Sequence, residues 1–145
     1  MDPLNVKACN PEKANLVLSA SMAEQMRRHV IDSAPFEACG LVAGQECQAL
    51  VVIPITNQLH SPVRFRMEPR EQLAAFELIE AHGWELLAIY HSHPKGPPSL
   101  SPTDIAEAYY PEILHLIWYC QEDAWEVKAF AICQEQATGI PLLLT

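Results

Sequence analysis

The chain has no Cys-x-x-Cys pair, although it carries five cysteines: Cys9, Cys39, Cys47, Cys120 and Cys133. An odd count without that spacing does not describe a disulfide framework. Basic residues are also scarce, 9 Lys plus Arg against 18 Asp plus Glu, for a net charge of −9. They are scattered, with Arg27-Arg28 as the closest pair, whereas a phosphate-tracking surface needs them clustered. Nucleic acid is therefore not an expected partner. No apolar run reaches the roughly 18–20 residues of a membrane-spanning helix. The opening MDPLNVKACN has no apolar signal segment, so no membrane association is expected either. Together these absences point to a reducing, cytoplasmic setting with free, mostly buried thiols.

What is present is the composition of a folded domain. Half of the 145 residues are hydrophobic and 19% are charged. One domain over residues 1–145 is expected, with a core large enough to need no staples. Residues 1–14 are polar and read as a loose N-terminal arm. No internal repeat stands out.

Along the chain, NLVLSA reads as a short strand. Ser21 and Glu24 have the spacing of a capping box, which predicts a helix from Ser21 to about Ser33 with Met22, Met26 and Val30 on one face. Residues 38–43 and 47–55 read as two strands of a hairpin, with Pro54 marking an end or an edge. VRFRM alternates like a half-exposed strand. Pro69 opens a second helix, with Leu73, Phe76 and Ile79 on one face, closed at His82-Gly83. ELLAIYHSH is a strand, residues 102–110 a helix, ILHLIWYC and AWEVKAFAIC two strands joined by a tight QED connection, and IPLLLT a last short strand. The sum is a mixed α/β (α+β) domain, a mixed sheet with helices on its faces.

The stretch HSHPKGPPSLSPTD, after the strand ELLAIY, carries the chemistry. Side chains at i and i+2 of a strand share a face, so His91 and His93 can both reach one metal ion. A catalytic zinc takes three protein ligands and leaves a position for water; Asp104 supplies the third. The two prolines in KGPPSL stiffen the loop and lower the entropy of bringing that ligand back. Ser101-Pro102-Thr103-Asp104 is also a good helix start with Ser at the N-cap, and this needs no metal. Both readings apply to the same residues. Hydrolysis on zinc needs a base, and Glu37 is the candidate. It directly precedes the small apolar segment ACGLVAG, an odd place for a carboxylate if packing alone decided; an exposed strand end is the plain alternative.

Glu37, then His91-Ser92-His93-Pro94, six residues, Ser101, two residues and Asp104 together resemble the JAMM/MPN metalloprotease family. No position departs from that motif. The segment Pro35-x-Glu37-x-Cys39-Gly40-Leu41 with Gly44, together with Asn57 and Arg64-Phe65 before Pro69, extends the resemblance over about residues 16–133. The short chain resembles the compact prokaryotic branch. The resemblance implies a curved mixed β-sheet packed between helices, similar to cytidine deaminases. It implies one Zn2+ per chain on His91, His93 and Asp104, Glu37 as general base, and Ser101 as hydrogen-bond donor to the developing oxyanion. Ser101 as helix cap competes for the same oxygen. The implied activity is a zinc metallopeptidase or isopeptidase that hydrolyses the amide bond after the C-terminal Gly-Gly of a ubiquitin-like sulfur-carrier protein.

Leu100 and Ile105 flank Ser101 and Asp104 and stand either as lining of a groove for the substrate tail or as core. His29, His60, His82 and His115 read as surface or satisfied core residues, and Cys39 as core rather than a fourth ligand. Three other functions compete. A deubiquitinase-like isopeptidase would act on lysine-linked conjugates. A non-catalytic MPN scaffold would have lost motif residues, which this chain keeps. A small-molecule zinc deaminase would use Cys-x-x-Cys ligands, which it does not have.

Overall fold

A computed structural model describes residues 14–108 and 112–145. Eight strands and three helices follow in order: β1 (Leu16–Leu18), α1 (Ala20–Ser33), β2 (Cys39–Gln45), β3 (Gln48–Ile55), α2 (Pro69–Ala81), β4 (Glu85–His93), α3 (Pro102–Ala106), β5 (Leu114–Gln121), β6 (Ala124–Cys133), β7 (Gln136–Ile140) and β8 (Leu142–Leu144). All strands belong to one sheet, ordered β7-β6-β5-β4-β2-β3-β1-β8. β1 runs parallel to β3 and β8, and β4 parallel to β5; the other pairs are antiparallel. β7 and β8 are separated by Pro141 alone, yet they occupy opposite ends of the order. Two strands one residue apart reach opposite edges only if the sheet curls nearly closed.

Helix α1 fills the inside of the curl. Its buried Met26 and Val30 pack with Leu16 and Leu18 of β1, Val42, Tyr90, Leu116 and Ala131, residues drawn from strands across the sheet. The face predicted at spacing four is therefore the one that is buried. The helix starts earlier than the Ser21–Glu24 pattern predicts. Ser19 is the N-cap, its hydroxyl accepting from Met22 N–H at 3.1 Å. The reason lies in β1: Leu18 and Ala20 are both tied to Thr145 by backbone bonds, so the extended residue a cap requires falls at Ser19.

Helices α2 and α3 cover the outer face. Ala75 and Ile79 of α2 are buried against Cys39, Leu41 and Ala43, with Phe76 half-buried beside them. Leu73, expected on this face, is 59% exposed. The buried stripe runs 72, 75, 76 and 79, which is the same helical spacing turned so that the small Ala75 meets the sheet. Leu100 is buried with Ile117 and Ile132, and Ile105 packs against the same cluster, seating α3.

The hairpin β2–β3 forms as predicted, and β3 runs through Pro54 to Ile55. β1 meets β3 only at Val17 opposite Gln48, so Pro54 sits where no strand covers that side. VRFRM forms no strand. A single bridge links Asn57 to Met67. The buried Asn57 side chain takes up backbone groups of this loop instead: its amide donates to the carbonyls of Glu37 and Arg64, and its carbonyl accepts from the N–H groups of Leu59 and Arg66. An Asn with four partners does the work of a strand neighbour. The third helix is shorter than predicted: it ends at Ala106 with Glu107 as its C-cap, and of the predicted span only residues 109 and 110 lie outside the described residues. The predicted N-terminal arm and Cys9 fall outside them too. Of the thiols, Cys39 is buried and Cys47 and Cys120 are half-buried, all three free. Among the described residues no helix is long and apolar enough to cross a membrane.

Candidate metal centre

The antiparallel register of β2 and β4 sets Cys39 opposite His91. Continued two residues, it sets Glu37 opposite His93, and opposed residues share a face. Ser92, between the histidines, is fully buried on the other face. Its hydroxyl accepts from Ala38 N–H at 2.8 Å, and its own N–H donates to Ala38 O at 3.0 Å. Glu37 N–H donates to Ser61 O at 2.8 Å. Glu37 is thus fixed at its N–H, its carbonyl and the following peptide.

Three donor atoms meet in front of this pair of strands. His91 Nε2 and His93 Nε2 lie 3.1 Å apart, and each is 3.2 Å from Asp104 Oδ2. Tetrahedral zinc ligands at about 2.0–2.1 Å stand roughly 3.3 Å from one another, so the triangle has the size of one face of such a shell. His93 Nδ1 lies 2.8 Å from Pro97 O. As donor to that carbonyl, Nδ1 holds the proton and leaves the Nε2 lone pair facing Asp104 and His91. Lone pairs and a carboxylate at this distance repel unless a cation or a proton sits among them. Phe65 stacks on His91 with ring centroids 4.5 Å apart and fixes its plane.

Glu37 closes the other side. Its carboxylate and the two histidines offer ligand atoms within 4.8 Å of one another, and all three residues are buried. Glu37 Oε1 has no hydrogen-bond partner among the described residues. Burial pushes its carboxyl up to about 8, with His93 opposing the rise and Asp104 adding to it. Asp104 shows the reverse. Burial alone would raise it, but hydrogen bonds with His91 and His93 outweigh this and hold it well below the usual carboxylate range. One carboxylate is thus kept ionised while its neighbour favours the proton, the separation that acid–base work needs.

Ser101 settles as the N-cap of α3. Its Oγ accepts from Asp104 N–H at 3.0 Å, while Asp104 Oδ2 accepts from Ser101 N–H at 2.9 Å. The reciprocal pair aims the Asp104 carboxylate at the histidines. A hydroxyl that accepts in a cap keeps its hydrogen, so capping and donation to a substrate oxygen are compatible. Leu100 and Ile105 both pack into the cluster under α3. A cleft of 280 Å³ opens beside His91 and Asp104 with Phe65, Met67 and Ile89 among its walls, and neither Leu100 nor Ile105 lines it.

Two residues carry more of the site than their sequence context signalled. Ser92, given no role from the sequence alone, is the tie to the Glu37 segment. His115 read as surface or satisfied core. It is 7% exposed, its Nε2 has no partner among the described residues, and it lines the cleft. Burial, and then His91, push its pKa down to about 4. The parallel register sets it beside Ile89, two residues before His91; nothing local in LHLIW marks it. Cys39 donates to Ile55 O at 3.4 Å and stands apart from the donor cluster, as expected of a core thiol.

Known proteins resemble this chain throughout. A Thermus thermophilus protein named probable TtuB-protein conjugate cleaving protease is 43% identical over 94 residues, covering 64% of this chain and 63% of its own length. The chain thus spans a little under two thirds of that relative. A Pyrococcus furiosus desampylase is 36% identical over 73% of this chain and 74% of its own. A CysO-cysteine peptidase of Mycobacterium tuberculosis is 33% identical over 88% and 89%. A Desulfitobacterium hafniense protein of known solution structure superposes with a TM-score of 0.81, at 31% identity over 90% of this chain and 92% of that one. A JAB1/MPN domain protein from Archaeoglobus fulgidus shares the fold at a TM-score of 0.59 and 15% identity, over 91% and 99%. Residues 19–132 match the family described as prokaryotic homologs of the JAB domain, and the chain belongs to that family.

Proposed function

We propose that the protein is a zinc-dependent peptidase that hydrolyses the amide bond after the C-terminal Gly-Gly of a ubiquitin-like sulfur carrier. The observation that carries this is the 3.1–3.2 Å triangle of His91, His93 and Asp104 beside a buried Glu37 whose Oε1 has no partner among the described residues. His91, His93 and Asp104 would hold one zinc per chain. A bound zinc supplies Lewis acidity, lowering the pKa of water and polarising a carbonyl. Glu37 takes the proton of the attacking water and delivers it to the leaving amine. Ser101 donates its free hydroxyl hydrogen to the scissile carbonyl oxygen as negative charge develops there. The names of the relatives support the substrate class: one is called a probable TtuB-protein conjugate cleaving protease and another a CysO-cysteine peptidase.

The test uses zinc-loaded protein and a sulfur carrier with a few residues after its Gly-Gly, followed by intact mass. Loss of the trailing residues with wild type, and none with Glu37→Gln, is expected. An unchanged mass with zinc confirmed bound would refute the reading for linear fusions. A lysine-linked conjugate run alongside tests the isopeptidase alternative, which the conjugate-cleaving relative favours. A non-catalytic scaffold has little support from a site with every motif residue in place.

A further inference from the structure

We infer that the cleft beside the metal centre selects substrate tails carrying acidic side chains and rejects basic ones, through Arg64 and Arg66. This rests on the peptidase reading for its occupant but on separate residues for its charge. The chain has a net charge of −9 and only 9 basic residues. Two of them, Arg64 and Arg66, line the 280 Å³ cleft that His91 and Asp104 also line.

The acidic groups at the cleft do not cancel them. Asp104 is committed to the two imidazoles and to Ser101 N–H. Glu107, also in the lining, reaches Arg64 at 3.5 Å, with both side chains about half exposed. An exposed pair of that length is weak and yields to a better placed carboxylate. Arg66 makes no ion pair among the described residues. Its backbone is held, N–H to Asn57 Oδ1 and carbonyl to Gln58 N–H, so its side chain starts from a fixed point on the wall.

His115 lines the cleft too, with its Nε2 buried away from the opening. Phe65, Met67 and Ile89 make the rest of the lining largely apolar. An extended peptide with a carboxylate side chain meets both this apolar lining and the two arginines. A lysine or arginine at the same place would face Arg64 and Arg66 at close range, where like charges oppose binding.

The experiment uses peptides of about ten residues, long enough to lie extended through such a groove. They are identical except for two Glu, two Gln or two Lys directly before Gly-Gly, and each ends in one alanine. Binding to zinc-loaded Glu37→Gln protein is followed by backbone NMR shifts at low and high salt. The Glu peptide is expected to bind about tenfold or more tighter than the Lys peptide at low salt, with the gap narrowing at high salt. Arg64→Gln with Arg66→Gln should bring the ratio close to unity, and Arg66→Glu should invert it.

A flat ranking overturns the proposal, as does a ranking that survives the double substitution. So does failure of the Glu peptide to bind at millimolar concentration. If the arginine dependence disappears on amidating the terminal alanine and not on replacing Glu, the arginines read the leaving residue and the proposal fails. An acid-selective protein whose wild type leaves the alanine uncut counts against the peptidase reading alone.

Discussion

Ser92 Oγ accepts a hydrogen bond from Ala38 N–H at 2.8 Å, across the junction that brings Glu37 to the histidines. Both partners are buried. Ser92→Ala removes the acceptor and leaves a buried N–H unpaired, a cost of about 1–3 kcal/mol. For a domain of this size that is a fall of several degrees in Tm. Because the same peptide follows Glu37, turnover should fall together with stability while zinc content stays at one per chain. Melting curves and turnover measured on the same preparations check this. An unshifted Tm with full activity would show that the junction is held elsewhere.

Ser101 caps α3, and substitution can separate that from the proposed donation to a substrate oxygen. Glycine at an N-cap costs only a few tenths of a kcal/mol relative to serine, whereas alanine costs about 1 kcal/mol. Neither can donate to a substrate oxygen. Ser101→Gly should therefore melt close to wild type, Ser101→Ala lower, and both should lose about 100-fold or more in kcat, the size of a lost oxyanion donor. If activity follows Tm across the two variants, the serine is a cap and nothing more.

The parts of this architecture that were legible in the sequence are those where chain-local chemistry decides the outcome. The run from Glu85 to Asp104 reads directly, because a strand puts His91 and His93 on one face and Ser101-Pro102 can only open a helix. β6 reads to the residue because its first half alternates and its second half is an apolar run bounded by a turn at each end. VRFRM misled for a physical reason: its alternation is that of a strand, but the partner that would pair with it is replaced by the Asn57 side chain. β7, QATGI, was not read because it is short, polar and at an edge, where little burial shapes the sequence. Ser92 and His115 have meaning only through register, which pairs residues 54 apart in one case and sets a neighbouring strand in the other.

The donor triangle predicts a metal dependence of stability. A ligand that binds only the folded state stabilises it by about 2.7 kcal/mol at 100 times its Kd. Zinc should raise Tm of metal-stripped protein, and a chelator should reverse this. Asp104→Ala, which removes one corner of the triangle, should weaken or abolish the rise, and elemental analysis should show metal loss. Glu37→Gln should keep the metal, since Glu37 lies outside the triangle. Equal metal content in wild type and Asp104→Ala would remove Asp104 from the ligand set.

Glu37 gives the prediction with the clearest sign. Its folded pKa lies at about 8, against 4.5 when free, chiefly through burial. Below 4.5 the carboxyl is protonated in both folded and unfolded chains and adds no pH dependence. Between 4.5 and 8 the unfolded chain releases the proton while the folded chain keeps it, so the unfolded state gains and stability falls as pH rises. Glutamine has the shape of the protonated acid and does not titrate. Metal-stripped Glu37→Gln should therefore match wild type in Tm near pH 4 and exceed it increasingly up to about pH 8, beyond which the gap is constant. A cation beside His91 and His93 favours the ionised carboxylate, so zinc should shrink the gap at pH 8. Paired melts across that pH range, with and without zinc, read both effects. A gap that is the same at pH 4 and pH 8 would mean that Glu37 is ionised at pH 8 in the folded metal-free protein, and the proton-carrying role proposed for it would then have to depend on the metal alone.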